Sequence, residues 1–489
     1  MARRITSPTP GSRVVAQTPR RSTNREIVHL TPDEHRARGK AARVAVPRAS
    51  HAVWEPFDGR PNPVDLLEEQ AATRVPELVP IRYGRMLVSP FTFYRGGAYI
   101  MASDLARTPV SGLNVQLCGD AHLSNFGGFA SAERRMVFDI NDFDETLPGP
   151  WEWDVKRLAA SFEIAGRDRG FSAKKRRSGV MAVARSYREA MASFAEMRDL
   201  DVWYSRLDIE AILPELQRQV SAKRGAQVAN NVAKAHTKDS MKAFAKLTHI
   251  VDGEPKIVST PPLIVPISEL LPELEAREFE KSIRTILRRY RTSLQNDRRV
   301  LVERFRFADL ARKVVGVGSV GTRAWIVLML GRDDEDPLFL QVKEASASVL
   351  EPFVGASAFK NHGQRVVEGQ RLMQASSDIF LGWVHVTGVD GVERDFYVRQ
   401  LWDWKISAQI ETFDPSMLVA YSGVCGWTLA RAHARSGDRA AIAAYLGSGT
   451  AFDEAIGDFS AAYADQNEAD YAIFKASVES GRLEAQTGL

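Results

Sequence analysis

Residues 117–129 read LCGDAHLSNFGGF, and DINDFDET follows at 139–146. Asp120 and Asn125 stand five apart in a segment whose glycines disfavour a regular helix, so a loop can bring a carboxylate and an amide to one point. There Asp120 could orient a hydroxyl and accept its proton, while the amide oxygen of Asn125 holds a metal. Asp142 and Asp144 follow a β-type run at i and i+2 and would share a face if the strand continued. Hard oxygen ligands, with no cysteine or histidine pair, suit Mg2+ or Mn2+ and not zinc. Polar turns use Asp and Asn for their own sake. Two such motifs one hairpin apart nevertheless point to a metal–phosphate site.

A second constellation lies about 200 residues on. Gly316, Gly318, Ser319 and Gly321 form GVGSVG, preceded by KVV and followed by the strand-like AWIVLML. A helix after these glycines would suggest a dinucleotide-binding unit. A strand follows instead, and a glycine-rich turn between antiparallel strands is the arrangement that covers nucleotide phosphates in kinases. Lys343, in LFLQVKEA, falls on the next strand among apolar neighbours and needs a partner there. A phosphate and a helix-borne carboxylate would serve, with Glu368 in QRVVEGQRLM the candidate and a solvated helix face the alternative.

The elements that must position these residues are legible in outline. Thr31, Pro32 and Glu34 read as N-cap, first helical residue and capping-box partner of a first helix. Residues 64–106 look helical in two pieces broken at VSPF (88–91). NVQLC and MVFDIN are strand-like with a turn at SAERR (131–135), and 154–300 is mostly helical with a break at 252–266. Strands return from 314, around a helix near 359–376, and the last 75 residues are helical again. This order predicts an α+β fold: a basic, largely disordered tail over 1–50, a helical lobe over 51–300, a β-rich lobe over 301–402, and returning helices over 403–489.

The bulk composition excludes several classes. With 489 residues, 44% hydrophobic, the chain can bury a full core without staples, and two cysteines are too few for a disulfide framework. The longest apolar run is far below a membrane span, and the Arg-rich start has no apolar leader, so a cytoplasmic protein is expected. The first 50 residues carry eleven Lys and Arg, including Arg3, Arg4, Arg20 and Arg21, against three acidic residues. A disordered, solubilising leader is the preferred reading of that tail, an anionic partner the alternative, and no nucleic-acid motif follows it.

GDAHLSN resembles the GDxHxxN catalytic loop of the protein-kinase-like superfamily, in its aminoglycoside and choline phosphotransferase branch. NDFDETLPGPWEWDVKRLA is similar to that branch's metal-binding segment. The resemblance implies Asp120, His122 and Asn125 as catalytic-loop residues, Asn125, Asp142 and Asp144 as Mg2+ ligands, and Asp154 as the brace of the loop. It further assigns ATP to Gly316, Gly318, Ser319, Gly321, Lys343 and Glu368, and to Gln400 in the hinge-like VRQLWDWK (398–405). The same motifs, with SPFTFYRG and KVVGVGSVGTR, are similar to a bacterial family of unknown function over about residues 50–475.

In ordinary kinases the glycine turn and its lysine come first; here Asp120 and Asp142 precede them. The implied fold is therefore a circularly permuted two-lobe kinase fold, a rearrangement tolerated where chain ends lie close together at the surface. Cys118 and the Phe143-Asp144 pair depart from the usual kinase pattern. The activity implied is ATP- and Mg2+-dependent phosphoryl transfer to an unidentified hydroxyl acceptor. AMP transfer on the same fold and a non-catalytic nucleotide-binding module are the alternatives. Arg95, beside the glycines of FYRGGAYIM, is a candidate for substrate or phosphate contact. His433, the lysines of AKAHTKDSMKAFAKL and the tryptophans of WEW read as structural or solvated.

Overall fold

The computed structural model describes residues 29–388, 391–401 and 403–488, with 273–281 described by their backbone alone. The tail arginines Arg3, Arg4, Arg20 and Arg21, and Trp402 of the hinge-like stretch, lie outside the described residues. The fold is mixed α+β with several sheets. Among the described residues no helix is long and apolar enough to cross a membrane.

The first helix, α1 (Pro32–Ala45), starts as its sequence dictates: Glu34 N donates to Thr31 Oγ1, and Thr31 N donates to Glu34 Oε2 at 2.7 Å. Residues 63–105 break into more pieces than the two expected. They include α2 (Pro63–Ala71), α3 (Pro90–Gly96) and α4 (Ala98–Leu105), because Ser89 opens a new capping box and Gly97 interrupts the run. Then come β1 (Asn114–Leu117), the hairpin of β2 (Phe126–Ala130) and β3 (Met136–Ile140), and β4 (Leu147–Pro150), which pairs antiparallel with β1. The hairpin turns at SAERR, where Arg134 takes a positive φ of 59°.

Two long helices follow, α5 (Trp151–Asp168) and α6 (Ala173–Glu196). After α7 (Ser240–Leu247) a small hairpin over 248–257 runs into the expected break at 252–266, which also holds the edge strand β5 (Ile264–Pro266). Next come α8 (Glu273–Thr292), β6 (Arg306–Lys313), β7 (Ala324–Leu330), β8 (Pro337–Ala345), α9 (His362–Met373), β9 (Gly382–Thr387) and β10 (Glu393–Gln400). The strands form one antiparallel sheet in the order β9-β10-β8-β7-β6-β5. The sheet thus begins before residue 301, and α8 lays Ile283, Leu287 and Tyr290 against Val327, Leu340 and Val384 on one of its faces. Its other face is covered by Ala243 and Leu247 of α7, packed on Ile326, Leu328 and Phe339. The lysines of this stretch, Lys234, Lys238, Lys242 and Lys246, are exposed, as a solvated face requires.

The chain ends in α10 (Pro415–Ser436) and α11 (Ala451–Glu479), which pack with α5 and α6 into the largest core. Trp151 stacks on Tyr187 with ring centroids 5.5 Å apart, so the tryptophans of WEW are packing residues. His433 is also structural: buried, it meets Tyr187 Oη at 2.8 Å and Asp154 at 3.3 Å. A helix buried all round should be apolar. Yet α5 buries Asp154, Arg157 and Ser161, and these three side chains build the site.

Candidate functional site

Asp154, Arg157 and Ser161 recur at helical spacing and so share one face of α5. Each holds a different part of the loop at 118–123. Cys118 N and Gly119 N donate to the Asp154 carboxylate at 2.8 and 3.1 Å. Arg157 donates through Nε to Asp120 Oδ1 at 2.8 Å, and Leu123 N donates to Ser161 Oγ at 3.0 Å. Gly119 is obligatory: its φ is +84°, and a Cβ there would lie 2.4 Å from the Glu145 carbonyl oxygen. Asp154→Ala would strand two buried N–H groups, each worth about 1–3 kcal/mol. A loss of about 2–4 kcal/mol is expected, read as a lower denaturant midpoint at unchanged slope.

The loop leaves Asp120 with one oxygen engaged and one available. Arg157 occupies Oδ1, while Oδ2 stands 3.7 Å from His122 Nε2. Burial raises the Asp120 pKa, with Arg157 and then Arg95 opposing it. Burial, then the Arg95 and Arg157 charges, push the His122 imidazole well below its ordinary value. The Asn125 side-chain nitrogen donates to the Asp120 carbonyl at 2.9 Å, which leaves Oδ1 for another partner.

The expectation that Asp142 and Asp144 share the face of a continuing strand does not hold. The strand stops at Ile140, and Asp144 N donates to Asp142 Oδ1 at 3.2 Å in a side-chain-capped turn. That turn aims the Asp144 carboxylate at Lys343, which donates to its Oδ2. Tyr397 Oη donates to Oδ1 at 2.8 Å; Tyr397 pairs directly with Lys343 across β10 and β8. Lys343 also donates to Ser319 Oγ at 2.7 Å, so the glycine turn joins this network. Burial works against charge on both partners, but the pairing outweighs it, lowering the Asp144 pKa and raising that of Lys343. Burial and then the Asp144 charge push Asp142 up.

Glu368 is not the partner of Lys343. It pairs with Arg371 one turn along α9 at 3.3 Å. The helix meets the site through Arg365 instead, whose guanidinium donates to the carbonyls of Asp144 and Ser346 at 2.8 Å and of Thr146 at 2.7 Å.

Asp120, His122, Asn125, Asp142, Asp144, Gly316, Gly318 and Ser319 all line one cavity of about 320 Å3. Gly321 holds the turn from behind: its φ is +92°, its carbonyl accepts Val75 N at 2.8 Å, and it packs on Arg74. Val317 and Val320 are buried against the helical segments of residues 63–105, which anchors the turn beside the cavity. Gln400 sits apart, in a second cavity with Arg134, Asp378 and Lys405.

Among the described residues no group of three or more His, Cys, Asp or Glu is placed to hold a metal. Asn125 Oδ1 with Asp142 and Asp144 is a set of one amide and two carboxylates. Hard oxygen donors of this type are those Mg2+ takes, and here both Asp144 oxygens are engaged, by Lys343 and Tyr397, so Asp144 would have to exchange a partner to ligate it.

Several site residues escaped the sequence reading. Arg157 and Ser161 are signalled by their i, i+3, i+7 spacing with Asp154. Tyr397 and Arg365 carry no such local signal, since each acts through a partner distant in sequence.

No curated protein and no solved structure matches the chain. A family model does, over residues 74–477, and the chain therefore belongs to the family described as "Uncharacterized protein conserved in bacteria (DUF2252)".

Proposed function

We propose that this protein is an ATP- and Mg2+-dependent phosphotransferase acting on a hydroxyl acceptor, on a circularly permuted kinase-like fold. The observation that carries this reading is convergence. Lys343 meets Asp144 although 199 residues separate them, beside Asp120, Asn125, Asp142 and the glycine turn. The topology supports the same reading: a glycine turn joins β6 to β7, the lysine lies on β8, and a helix and two further strands follow.

Asp120 receives the acceptor proton on Oδ2, because Arg157 fixes Oδ1 and orients the carboxylate. Lys343, freed from Asp144, neutralises phosphate oxygens, and backbone amides of the glycine turn cover them. Asn125, Asp142 and Asp144 would hold Mg2+, which when bound supplies charge neutralisation for phosphoryl transfer. Positioning and electrostatics of this kind provide most of the catalysis in such reactions.

The test uses ATP labelled separately at its γ- and α-phosphates, with a cell extract fraction as acceptor source. Label passing from the γ position to product supports the proposal. Label passing from the α position makes the protein an AMP transferase. Tight Mg-ATP binding with no transfer or hydrolysis makes it a nucleotide-binding regulator.

A further inference from the structure

Arg74 and Arg95 line the cavity, Arg82 and Arg157 bond to residues that line it, and of these four all but one have a partner. Arg74 donates to the Val320 carbonyl, Arg82 to the Gly96 carbonyl at 3.0 Å, and Arg157 to Asp120. Arg95 is the exception: among the described residues its side chain makes no hydrogen bond or ion pair, and its Nε, like Arg74 Nε and Arg82 Nε and Nη1, is sealed from solvent without an acceptor. Buried donors left unmatched are rare in native structures. Its side chain lines the same cavity as Asp120, and Asp120 already has its cation in Arg157. The guanidinium fork is therefore surplus to the protein's own charges. It is also a shape that matches a planar carboxylate or a phosphate with two parallel hydrogen bonds.

Its position favours the acceptor over the nucleotide. Lys343 is engaged by Asp144 and Ser319, whereas Asp120, the base for the acceptor hydroxyl, is the acidic group that acts most strongly on Arg95. The glycine turn abuts the same segment, a Cβ on Gly318 lying 3.2 Å from the Arg95 backbone carbonyl, so an acceptor held by Arg95 would lie next to the phosphates that the turn covers. The cavity, about 320 Å3 in volume, is of the size that holds small molecules. We propose that Arg95 is the anion anchor of an acceptor subsite, and that the acceptor is a small hydroxyl compound bearing a phosphate or carboxylate group. This assignment rests on the phosphotransferase reading of the same cavity.

The experiment is calorimetric titration of the full chain with inorganic phosphate, and separately with acetate, with and without saturating Mg2+ and the non-hydrolysable analogue AMPPNP. The expected result is that one of the two anions binds the nucleotide-loaded protein. Arg95→Gln should then weaken it by ~10-fold or more, with Arg95→Lys falling between. Circular dichroism on both variants separates this from misfolding. An anion that binds only when AMPPNP is absent would move Arg95 to the nucleotide phosphates and overturn the assignment. Binding that ignores the Arg95→Gln change, or no anion binding to the loaded protein, would overturn it as well. In each of those cases bound AMPPNP leaves the phosphotransferase reading standing, whereas failure of Mg-AMPPNP itself to bind removes that reading and the acceptor subsite with it.

Discussion

Asp120→Asn is expected to lower phosphoryl transfer by ~10²–10⁴-fold, the usual contribution of a positioned general base. The substitution preserves shape, and Arg157 keeps its bond to the Tyr94 carbonyl at 3.0 Å and its seat over the Tyr94 ring, so the loop stays folded. The pH profile gives a second readout. Asp120 acts in its ionised form, and burial raises its pKa. Transfer in the wild type should therefore climb as pH rises through that elevated value and level off above it. In Asp120→Asn the residual rate should lack this acidic limb. A variant with wild-type turnover would remove Asp120 from the chemistry.

Lys343→Met is expected to abolish transfer and also to destabilise the fold, two effects with one origin. The Lys343 side chain is 3% exposed and its partner Asp144 24% exposed. Removing one member of an enclosed ion pair costs about 3–5 kcal/mol, and the exposed face of Asp144 reduces this to roughly 2–3 kcal/mol. The sign with pH is defined. Asp144 has a lowered pKa in the fold, so its stabilisation is present above the ordinary aspartate value and is lost as pH falls through the folded one. Lys343→Met should therefore lose most stability near neutrality and approach the wild type in acid. Chemical denaturation at several pH values measures this. Equal losses at all pH values would mean that the lysine acts by packing and not by charge.

The parts of this site that sequence makes legible are local ones. The capping box at Thr31 and Glu34, the turn at SAERR and the loop at Gly119–Asn125 each depend on residues a few positions apart, and turn and cap chemistry is short-range. The glycine turn between strands is legible for the same reason. The partner of Lys343 is not. Glu368 is a reasonable helix-borne carboxylate, but Arg371 satisfies it one turn away, and the choice of Asp144 depends on how β8 approaches a turn 199 residues earlier. Asp142 and Asp144 mislead in another way: their i, i+2 spacing suits a strand face and a side-chain-capped turn equally, and the hydrogen bond to Asp144 N selects the turn. The edge strand Ile264–Pro266 is three residues long in a proline-rich stretch, too short for any periodicity to mark it. The polar row Asp154, Arg157 and Ser161 lies between these cases. Its spacing is visible in DVKRLAAS, but only burial of α5 on every side turns a polar stripe into a brace.

The central claim is that Asn125, Asp142 and Asp144 form a Mg2+-nucleotide site with Lys343. Its most direct test is the thermal unfolding midpoint of the full chain with ATP, with and without Mg2+, in the wild type and in Asp142→Asn. Ligand binding to the folded state raises the midpoint by linkage, about 2.7 kcal/mol at a hundredfold excess over Kd. The account predicts a large rise with ATP and Mg2+ together in the wild type, a small one with ATP alone, and loss of the Mg2+-dependent part in Asp142→Asn. Mg2+-dependent stabilisation that survives in Asp142→Asn, or no stabilisation by any nucleotide in the wild type, would contradict it.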